Sequence, residues 1–366
     1  MILYILNKTY DTVGLIDQAE SILWNKKYND IGECEIYIPC SEEYMKLLKI
    51  GYYVYRFDDD MCCRITSVKL ETNIENGDYL IITAKDICSI ISSRCVWKEI
   101  NFEGRVCDFI KQLLDENIIN PTMEKRGINV RKIDNFVFDN SNFSDFTETF
   151  NYQTKYEDIL QLIILICKQF NYGFRLSFDL ENKQFIFRIY KGLNRSEETS
   201  ETYVEFSPEF SNIISTVYEK NNENYKNSAM VVGKYINDEI VTEVVGTVDN
   251  GVIGLDRNEI FVDATNISPK YKDEFDIEHE YTISEYRQLL IDKGNEVLSS
   301  RKIETSFSGE VYTIDTYEYK VDYNIGDIVK VKNEYGIEAN ARITEVMESE
   351  DSNEGYVAQP TFEYIN

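Results

Sequence analysis

Apolar and polar residues alternate along much of the first hundred positions, a period of two that is typical of β-strands with one buried face. The alternation predicts five strands of one antiparallel unit, at Ser21–Trp24, Cys34–Ile38, Tyr52–Phe57, Cys63–Leu70 and Asp78–Ala84. The pair Asn76-Gly77, between the last two strands, is a strong signal for a β-hairpin. The apolar start, Met1–Lys8, predicts a further strand and not a signal peptide, because no basic segment precedes it.

The spacing of apolar residues changes to that of amphipathic helices after Gly104. It predicts one helix over 106–114 and a second, more densely apolar helix over Tyr156–Phe170. Two alternating strands follow, at Phe174–Phe178 and Phe185–Tyr190. This part of the chain therefore mixes helices and strands.

A charged, serine-rich stretch, Asn194–Glu201, predicts a linker and a domain boundary. A third helix is predicted at Thr282–Leu298, where Thr282 and Glu285 have the spacing of a capping box. The sequence is strand-like again from there to its last residue.

An internal repeat connects the two ends of the chain. The blocks Ile50-Gly51-Tyr52-Tyr53-Val54 and Arg64-Ile65-Thr66-Ser67-Val68 reappear as Ile325-Gly326-Asp327-Ile328-Val329 and Arg342-Ile343-Thr344-Glu345-Val346. Seven of the ten positions are identical. The alternative is that composition alone produced two similar hairpins, because isoleucine, valine and threonine are common in any strand.

The repeat continues through a polar turn, Asn353-Glu354-Gly355 in the second copy, into tyrosine-led strands at Tyr79–Ala84 and Tyr356–Phe362. Gly51 and Gly326 are predicted to occupy equivalent turns, where a side chain would be strained or would crowd a neighbour. Arg64 and Arg342 are predicted to point the same way from their units.

The repeat predicts an α+β fold, mainly β, with two similar small β-barrels and inserted α+β domains. Residues 1–98 form the first barrel and 99–200 an α+β domain. The second barrel is discontinuous, over 201–244 and 304–366, with Ile213–Tyr218 and Ala229–Val232 as its first strands. Residues 245–303 form a small inserted domain with one helix.

Length and composition agree with a folded protein of several domains. The chain has 366 residues, of which 43% are hydrophobic and 13% aromatic. Lysine and arginine number 38 against 65 acidic residues, which gives a formal charge of −27. This charge argues against nucleic-acid or anionic-membrane binding. The longest apolar run, Ile159–Cys167, is too short for a membrane span of about 20 residues.

The sequence offers little for catalysis. All eight cysteines lie in the first half without zinc-site spacing, which favours reduced, buried thiols. The only histidine, His279, is flanked by acids and is predicted to be a solvated surface residue. No phosphate-binding glycine loop or serine-nucleophile motif is present. Asp58-Asp59-Asp60 is predicted to be a charged hairpin tip, and we predict no catalytic, cofactor or metal site.

Several blocks of the sequence resemble siphovirus tail-tip proteins related to the phage baseplate hub. They are, in order, Leu15-Ile16-Asp17, Ser21–Trp24, Gly32–Pro39, Tyr172–Phe174, Lys191–Arg195, Val204–Ser207, Gly254–Arg257, Phe261–Ala264, Asp322–Val329, Arg342–Val346 and Pro360–Phe362. The resemblance spans nearly the whole chain, and each block is structural. Asn194 departs from the pattern, in which an acid precedes Arg195.

The resemblance implies a structural virion protein, made in the bacterial host cytoplasm and placed at the tail tip or baseplate. Hub proteins of this kind are trimers in which two tube-like barrels per chain form a pseudo-six-fold ring that caps the six-fold tail tube. The implied partners are two further copies, a tail tube or distal tail protein, the tape measure protein and spike or fibre proteins. Arg64 and Arg342 are then expected to have structural or ring-contact roles.

Two other functions remain open. A receptor-binding or carbohydrate-binding tail protein would explain the aromatic residues and would show glycan affinity. A tail-associated peptidoglycan hydrolase would explain the abundant acids and would clear cell walls in a zymogram. The hub interpretation also predicts a ring lumen with more acidic than basic side chains, since like-charge repulsion keeps exiting DNA off the wall.

Overall fold

The structure is a computed structural model that describes residues 1–74, 77–121, 130–198, 201–236, 239–246, 252–272, 277–311, 317–351 and 355–365. The helices are α1 (Glu42–Leu47), α2 (Val106–Leu114), α3 (Ile159–Phe170) and α4 (Ile283–Ser299). The strands are β1 (Leu3–Leu6), β2 (Thr12–Ile16), β3 (Ser21–Lys27), β4 (Glu33–Pro39), β5 (Tyr53–Tyr55), β6 (Cys62–Asn73), β7 (Gly77–Asp86), β8 (Ile100–Arg105), β9 (Phe136–Phe138), β10 (Thr149–Thr154), β11 (Gly173–Asp179), β12 (Gln184–Tyr190), β13 (Glu205–Phe206), β14 (Ile213–Asn221), β15 (Ser228–Ile236), β16 (Glu239–Gly246), β17 (Glu259–Asp263), β18 (Lys270–Lys272), β19 (Glu278–Glu280), β20 (Glu304–Val311), β21 (Ile328–Lys332), β22 (Glu338–Asp351) and β23 (Gly355–Tyr364).

The predicted strands of the first unit and the three predicted helices are confirmed. Each follows from its local pattern, and the helices begin where capping residues stand. Asp158 accepts a hydrogen bond from the Gln161 backbone at 2.9 Å at the start of α3. Thr282 and Glu285 form the predicted capping box of α4. Asn76, Asn353 and Glu354 of the predicted turns lie outside the described residues.

The largest sheet contains strands from both ends of the chain. Its order is β14-β20-β23-β22-β3-β4-β7-β6-β5-β1-β2, with β21 pairing with β22 and β13 with β21. The antiparallel pair β22·β3, from Glu345 opposite Lys27 to Asp351 opposite Ser21, joins the two halves. Each half repeats one order, β3-β4-β7-β6-β5 in the first and β14-β20-β23-β22-β21 in the second.

The expected barrels are not closed in the part of the chain that the structure describes. The end strands β2 and β14 each pair with one neighbour only, so the thirteen strands form an open sheet. Strand length explains why the two halves merge into one sheet. β22 has 14 residues and β21 only five, so β22 extends past β21 and its far half takes β3 as a neighbour.

Buried apolar residues form four clusters. One lies in the first half of the large sheet and includes Trp24, and another lies in the second half and includes Phe362. A third surrounds α2 and α3, with the sheets β10-β8 and β11-β12-β9 beside them. The fourth lies between α4 and the sheet β16-β15-β17.

The fourth cluster corrects one predicted boundary. Ala229–Val232 was expected in the second barrel, but β15 pairs with β16 and β17 in the sheet that α4 covers. The predicted boundary at 244/245 therefore falls inside β16. The alternating pattern identifies a strand but does not show which sheet the strand belongs to. Here β15 lies under α4, where it buries the apolar face of that helix. Of the described helices, none combines the length and apolar character needed to cross a membrane.

Candidate functional site

The glycines of the repeat have the same local geometry. Gly51 has φ +85° and Gly326 has φ +93°, a region that favours glycine. The Gly51 amide donates to the Ile65 carbonyl at 2.9 Å, and the Gly326 amide donates to the Ile343 carbonyl at 2.8 Å. Both glycines therefore turn the chain into a short strand, β5 or β21, and bond to the long strand that pairs with it.

A register shift of the long strand also recurs in both halves. It lies at Thr66 in β6 and at Thr344 in β22. Each hydroxyl donates to a threonine carbonyl of the next strand, Thr83 at 3.2 Å and Thr361 at 3.5 Å. The two halves therefore share one β-bulge.

The two tyrosine-led strands occupy equivalent places beside the long strands β6 and β22, but their tyrosines are offset by one residue. Tyr79 lies opposite Glu71, and the corresponding position of the second half, opposite Ser349, is Val357. Tyr356 is thus one position early, on the other face of the sheet. The pairing of the strands fixes this register, so the two tyrosines point to opposite faces.

The two arginines lie beside the glycines of their own halves. Arg342 Nη1 donates to the Gly326 carbonyl at 2.7 Å, and its guanidinium lies 5.1 Å from the centre of the Tyr28 ring. Arg64 Nη2 lies 3.6 Å from the position that a Cβ on Gly51 would take. The structure thus places the four predicted residues as two separate pairs.

A charged cluster at the junction of the two halves was missed by the sequence reasoning. Its centre is Asp59, whose side chain is fully buried. Lys26 Nζ lies 3.0 Å from one Asp59 oxygen and 2.6 Å from Asp60 Oδ1. Lys320 Nζ lies 2.7 Å from the other Asp59 oxygen. One carboxylate thus holds together a lysine from each half of the sheet.

The cluster extends in both directions from Asp59. Arg56 donates to Asp58, at 2.5 Å, and to Glu348, at 3.2 Å. Arg188, from β12, lies 2.7 Å from Asp60 Oδ2. We call Lys26, Arg56, Asp58, Asp59, Asp60, Arg188, Lys320 and Glu348 the junction cluster.

The prediction of a charged hairpin tip at Asp58-Asp59-Asp60 is confirmed, since the three acids lie between the antiparallel strands β5 and β6. Asp58 stays exposed, whereas Asp59 is buried because Lys26 and Lys320 contact it where the two halves of the sheet meet. A signal was present in the alternation: Ile22, Trp24 and Tyr28 point inward, and Lys26 stands in the same phase. Glu348 likewise occupies an inward phase of β22, being 1% exposed. A charge at an inward position predicts a buried partner.

Burial and neighbouring charges shift the pKa values of the cluster. Burial alone would raise the pKa of Asp60, but the charges of Lys26 and Arg175 outweigh it and hold the pKa well below its usual range. Burial alone would lower the pKa of Lys26, but the nearby acids raise it. Asp60 therefore stays ionised and paired, so it is unsuited to act as a general acid at neutral pH.

The lowered pKa of Asp60 predicts a pH dependence of stability. Its contribution is fully present above the ordinary pKa of 3.8 and is lost as pH falls toward the lower folded value. Lys26 has the opposite sign and contributes below its ordinary pKa of 10.5. The free-energy difference between the protein and Asp60→Asn should be constant from about pH 5 to 9 and shrink below about pH 4.

Chemical denaturation at a series of pH values measures this difference. The control is Glu42→Gln, at a carboxylate whose side chain is 92% exposed, where we expect almost no difference at any pH. A difference for Asp60→Asn that stays constant down to pH 2 contradicts the assignment.

The junction cluster borders a cavity of about 490 Å³. Its walls also include Asp139, Asn142, Tyr190 and Asp327. In the residues that the structure describes, no group of histidine, cysteine and acidic side chains has the arrangement of a metal site. His279 is exposed on β19, with its ring stacked 5.3 Å from that of Tyr271. The arrangement fits a rigid junction between elements.

Arg195 and Asp327 form a second buried ion pair beside this cavity. Arg195 Nε lies 2.6 Å from Asp327 Oδ2, and Asp327 Oδ1 accepts from the Leu193 amide at 2.7 Å. The first residues of the predicted linker thus lie against the second half of the sheet. Asn194 stands where the resemblance leads us to expect an acidic residue. Its side-chain oxygen accepts a hydrogen bond from the Ser196 amide at 3.1 Å.

Comparisons with known proteins agree with this architecture. A family model described as "Siphovirus ReqiPepy6 Gp37-like protein" matches residues 2–362. The tail protein from Neisseria meningitidis MC58 is similar with a TM-score of 0.57 at 11% identity, over 99% of this chain and 95% of that chain. The 43 kDa tail protein of prophage MuSo2 from Shewanella oneidensis is similar with a TM-score of 0.54 at 10% identity, over 99% and 98%. No curated protein matches the chain.

The molecule therefore has the fold of phage tail proteins, as both similar structures do. Because the family model covers nearly the whole sequence, the chain belongs to the siphovirus ReqiPepy6 Gp37-like family. The predicted relation to siphovirus tail proteins is confirmed.

Proposed function

We propose that this protein is a hub of the tail tip or baseplate, a homotrimer that adapts the six-fold tail tube to a three-fold tip. The observation that carries the proposal is the doubled half-sheet: one strand order, one glycine turn and one bulge occur twice in each chain. We infer that the two halves arose by duplication.

The symmetry of the assembly explains why a doubled unit is useful. A closed ring of three chains, each with two similar units, presents six similar surfaces at roughly equal angles. A six-fold tube can then contact all six without a mismatch. In this role the protein lies in the virion, with a tube or distal tail protein above it, the tape measure protein near its axis and spike or fibre proteins below.

The charge of the chain suits a ring around DNA. Three copies at −27 each place a strongly negative field near the axis, which repels the DNA backbone and keeps the genome mobile. We propose that the protein acts without catalysis and without binding a specific nucleic acid. Its described side chains support rigidity, since the acids of the junction cluster are paired with cations.

The test is the mass of the purified chain in solution, by light scattering and mass photometry from nanomolar to high micromolar concentration. We expect three times 42.9 kDa, with rings of six similar lobes in electron micrographs. A chain that stays monomeric over the whole range, or that closes with two or four copies, contradicts the hub assignment.

A further inference from the structure

The junction between the two halves within one chain has a simple geometry. β21 pairs with β22 only as far as Arg342. Beyond that point the same side of β22 is free for another strand, and residues Glu345–Asp351 pair there with Ser21–Lys27 of β3. The second half therefore offers a long-strand edge, and the first half offers its outer strand.

The corresponding edges of the opposite halves are open. β5 pairs with β6 only at Cys62–Arg64, so Ser67–Thr72 has no strand on that side among the described residues. Five of these six side chains are exposed. β14, the counterpart of β3, pairs with β20 on one side and has no described strand on the other. One chain thus carries both members of a second junction, on strands that do not pair with each other within the chain.

We propose that β6 of one copy pairs antiparallel with β14 of the next copy, so that the junction between chains repeats the junction within a chain. This inference rests on the proposed trimer and names the surfaces that close it. Pairing open edges between copies removes the exposed strand edges that otherwise favour aggregation. The contact is head-to-tail, which closes a ring when the rotation per chain is one third of a turn.

The register of the new junction follows from the old one. Trp24 lies opposite Cys34, and Cys34 lies opposite Ala84. In the second half Tyr218 takes the place of Trp24, because it lies opposite residue 307, which lies opposite Phe362. Transferring the pairing of β22 and β3 then places Ser67 opposite Asn221, Leu70 opposite Tyr218 and Thr72 opposite Thr216.

The side chains on the two edges complement each other in this register. Lys69 falls opposite Glu219, a pair of opposite charges, and Leu70 falls opposite Tyr218. Leu70 is 44% exposed and Tyr218 is 40% exposed in the single chain, so pairing would bury both. A slip of one residue toward Lys220 would oppose Lys69 with a like charge and Leu70 with an acid. The charge pattern therefore favours the transferred register.

A cysteine pair tests the register directly. Thr72 and Thr216 are directly opposed in the proposed junction, and opposed Cβ atoms in antiparallel strands lie about 4.5–5.5 Å apart, close to disulfide reach. The full chain with Thr72→Cys and Thr216→Cys should form covalent oligomers up to the trimer on oxidation. Six strands lie between β6 and β14 in the sheet of one chain, so we expect the cross-link to join two copies, and the mass of the cross-linked species shows this directly.

The matched control moves one cysteine by one residue. In Thr72→Cys with Val217→Cys the two thiols stand on opposite faces of the sheet, and we expect at least tenfold less cross-linking. The chain without added cysteines measures the background from native thiols, of which Cys95 is exposed. Equal cross-linking of the two double variants overturns the register.

A charge exchange gives a second, reversible test. Lys69→Glu should raise the concentration for half-assembly about tenfold or more, because a like-charge pair would occur at each of three junctions. Lys69→Glu combined with Glu219→Lys should restore assembly, which a folding defect would not do. Within its own strand Lys69 pairs with Glu71 at 2.5 Å, and Lys69→Glu breaks that exposed pair. Lys46→Glu is the control, because it breaks a similar exposed pair, with Glu42, on α1.

The outcomes separate the two proposals. A trimer that forms no in-register cross-link and tolerates Lys69→Glu overturns the strand junction and leaves the hub function standing. In-register cross-links in an assembly of another size support the junction and overturn the trimer. A monomer without cross-links overturns both.

Discussion

Replacing Asp59 with alanine should lower the free energy of unfolding by about 3–5 kcal/mol, the usual cost of removing one partner of a buried ion pair. Asp59 is the common partner of Lys26 and Lys320, at 3.0 and 2.7 Å. The Lys26 side chain is only 6% exposed. Without Asp59 it keeps its ion pair with Asp60 but loses the second of its two carboxylate partners. The junction between the halves should therefore loosen first.

Guanidinium denaturation followed by fluorescence measures this effect. The chain has two tryptophans, so Trp97→Phe leaves Trp24, which lies 5.2 Å from Arg56 and reports on the junction. The control is Glu42→Ala, which removes an exposed pair and should change stability by less than about 0.5 kcal/mol. A loss below about 1 kcal/mol for Asp59→Ala would show that the junction cluster contributes little.

The second large effect is expected at Gly326. Alanine there would hold a positive φ, at a cost of about 1–2 kcal/mol, and its Cβ would lie 2.5 Å from the buried Tyr28 ring. Overpacking adds about 1–3 kcal/mol. Gly326→Ala should therefore destabilise the protein by about 2–5 kcal/mol. Tyr28 also donates its amide to the Thr344 carbonyl at 2.8 Å, so its displacement should weaken the bulged region of β22.

Gly51→Ala is the matched comparison, because Gly51 is the corresponding residue of the first half. Its φ is similarly positive, but the nearest atom to a new Cβ is Lys8 Cε, at 3.2 Å, on a flexible side chain. We expect a loss of about 1–2 kcal/mol in the same denaturation measurement. If Gly51→Ala and Gly326→Ala lower the free energy of unfolding equally, the close contact with Tyr28 does not contribute to the effect at Gly326.

The positions of strands and helices were predictable because each depends on its own residues. The alternation at Cys34–Ile38 requires a strand, and the spacing over 106–114 requires a helix, whatever lies nearby. The repeat was informative for the same reason. Identical glycines, arginines and threonines produced one turn and one bulge in two places, 275 to 278 residues apart.

The candidate site was not predictable to the same degree. Asp58-Asp59-Asp60 has the composition of an exposed turn, and Asp59 is a buried partner of two lysines only because Lys320 arrives from the other end of the chain. Glu348, from the same end, pairs with Arg56 beside it. The inward phase of Lys26 indicated a buried charge but not its partner. A local pattern carries no information about a residue some 290 positions away.

The sequence by itself thus determined the local conformations and the doubled half-sheet, since backbone period, turn residues and capping act over a few positions. Only the tertiary structure decided which strands became neighbours. β15 joined the sheet under α4 because that helix needed an apolar cover. β22 and β3 pair because β22 is longer than β21. The part of β22 beyond β21 has backbone amides and carbonyls that require hydrogen-bond partners, and β3 supplies them. Any strand edge can in principle pair with any other. Which pairs form depends on strand lengths and on charges that come together only in the folded chain.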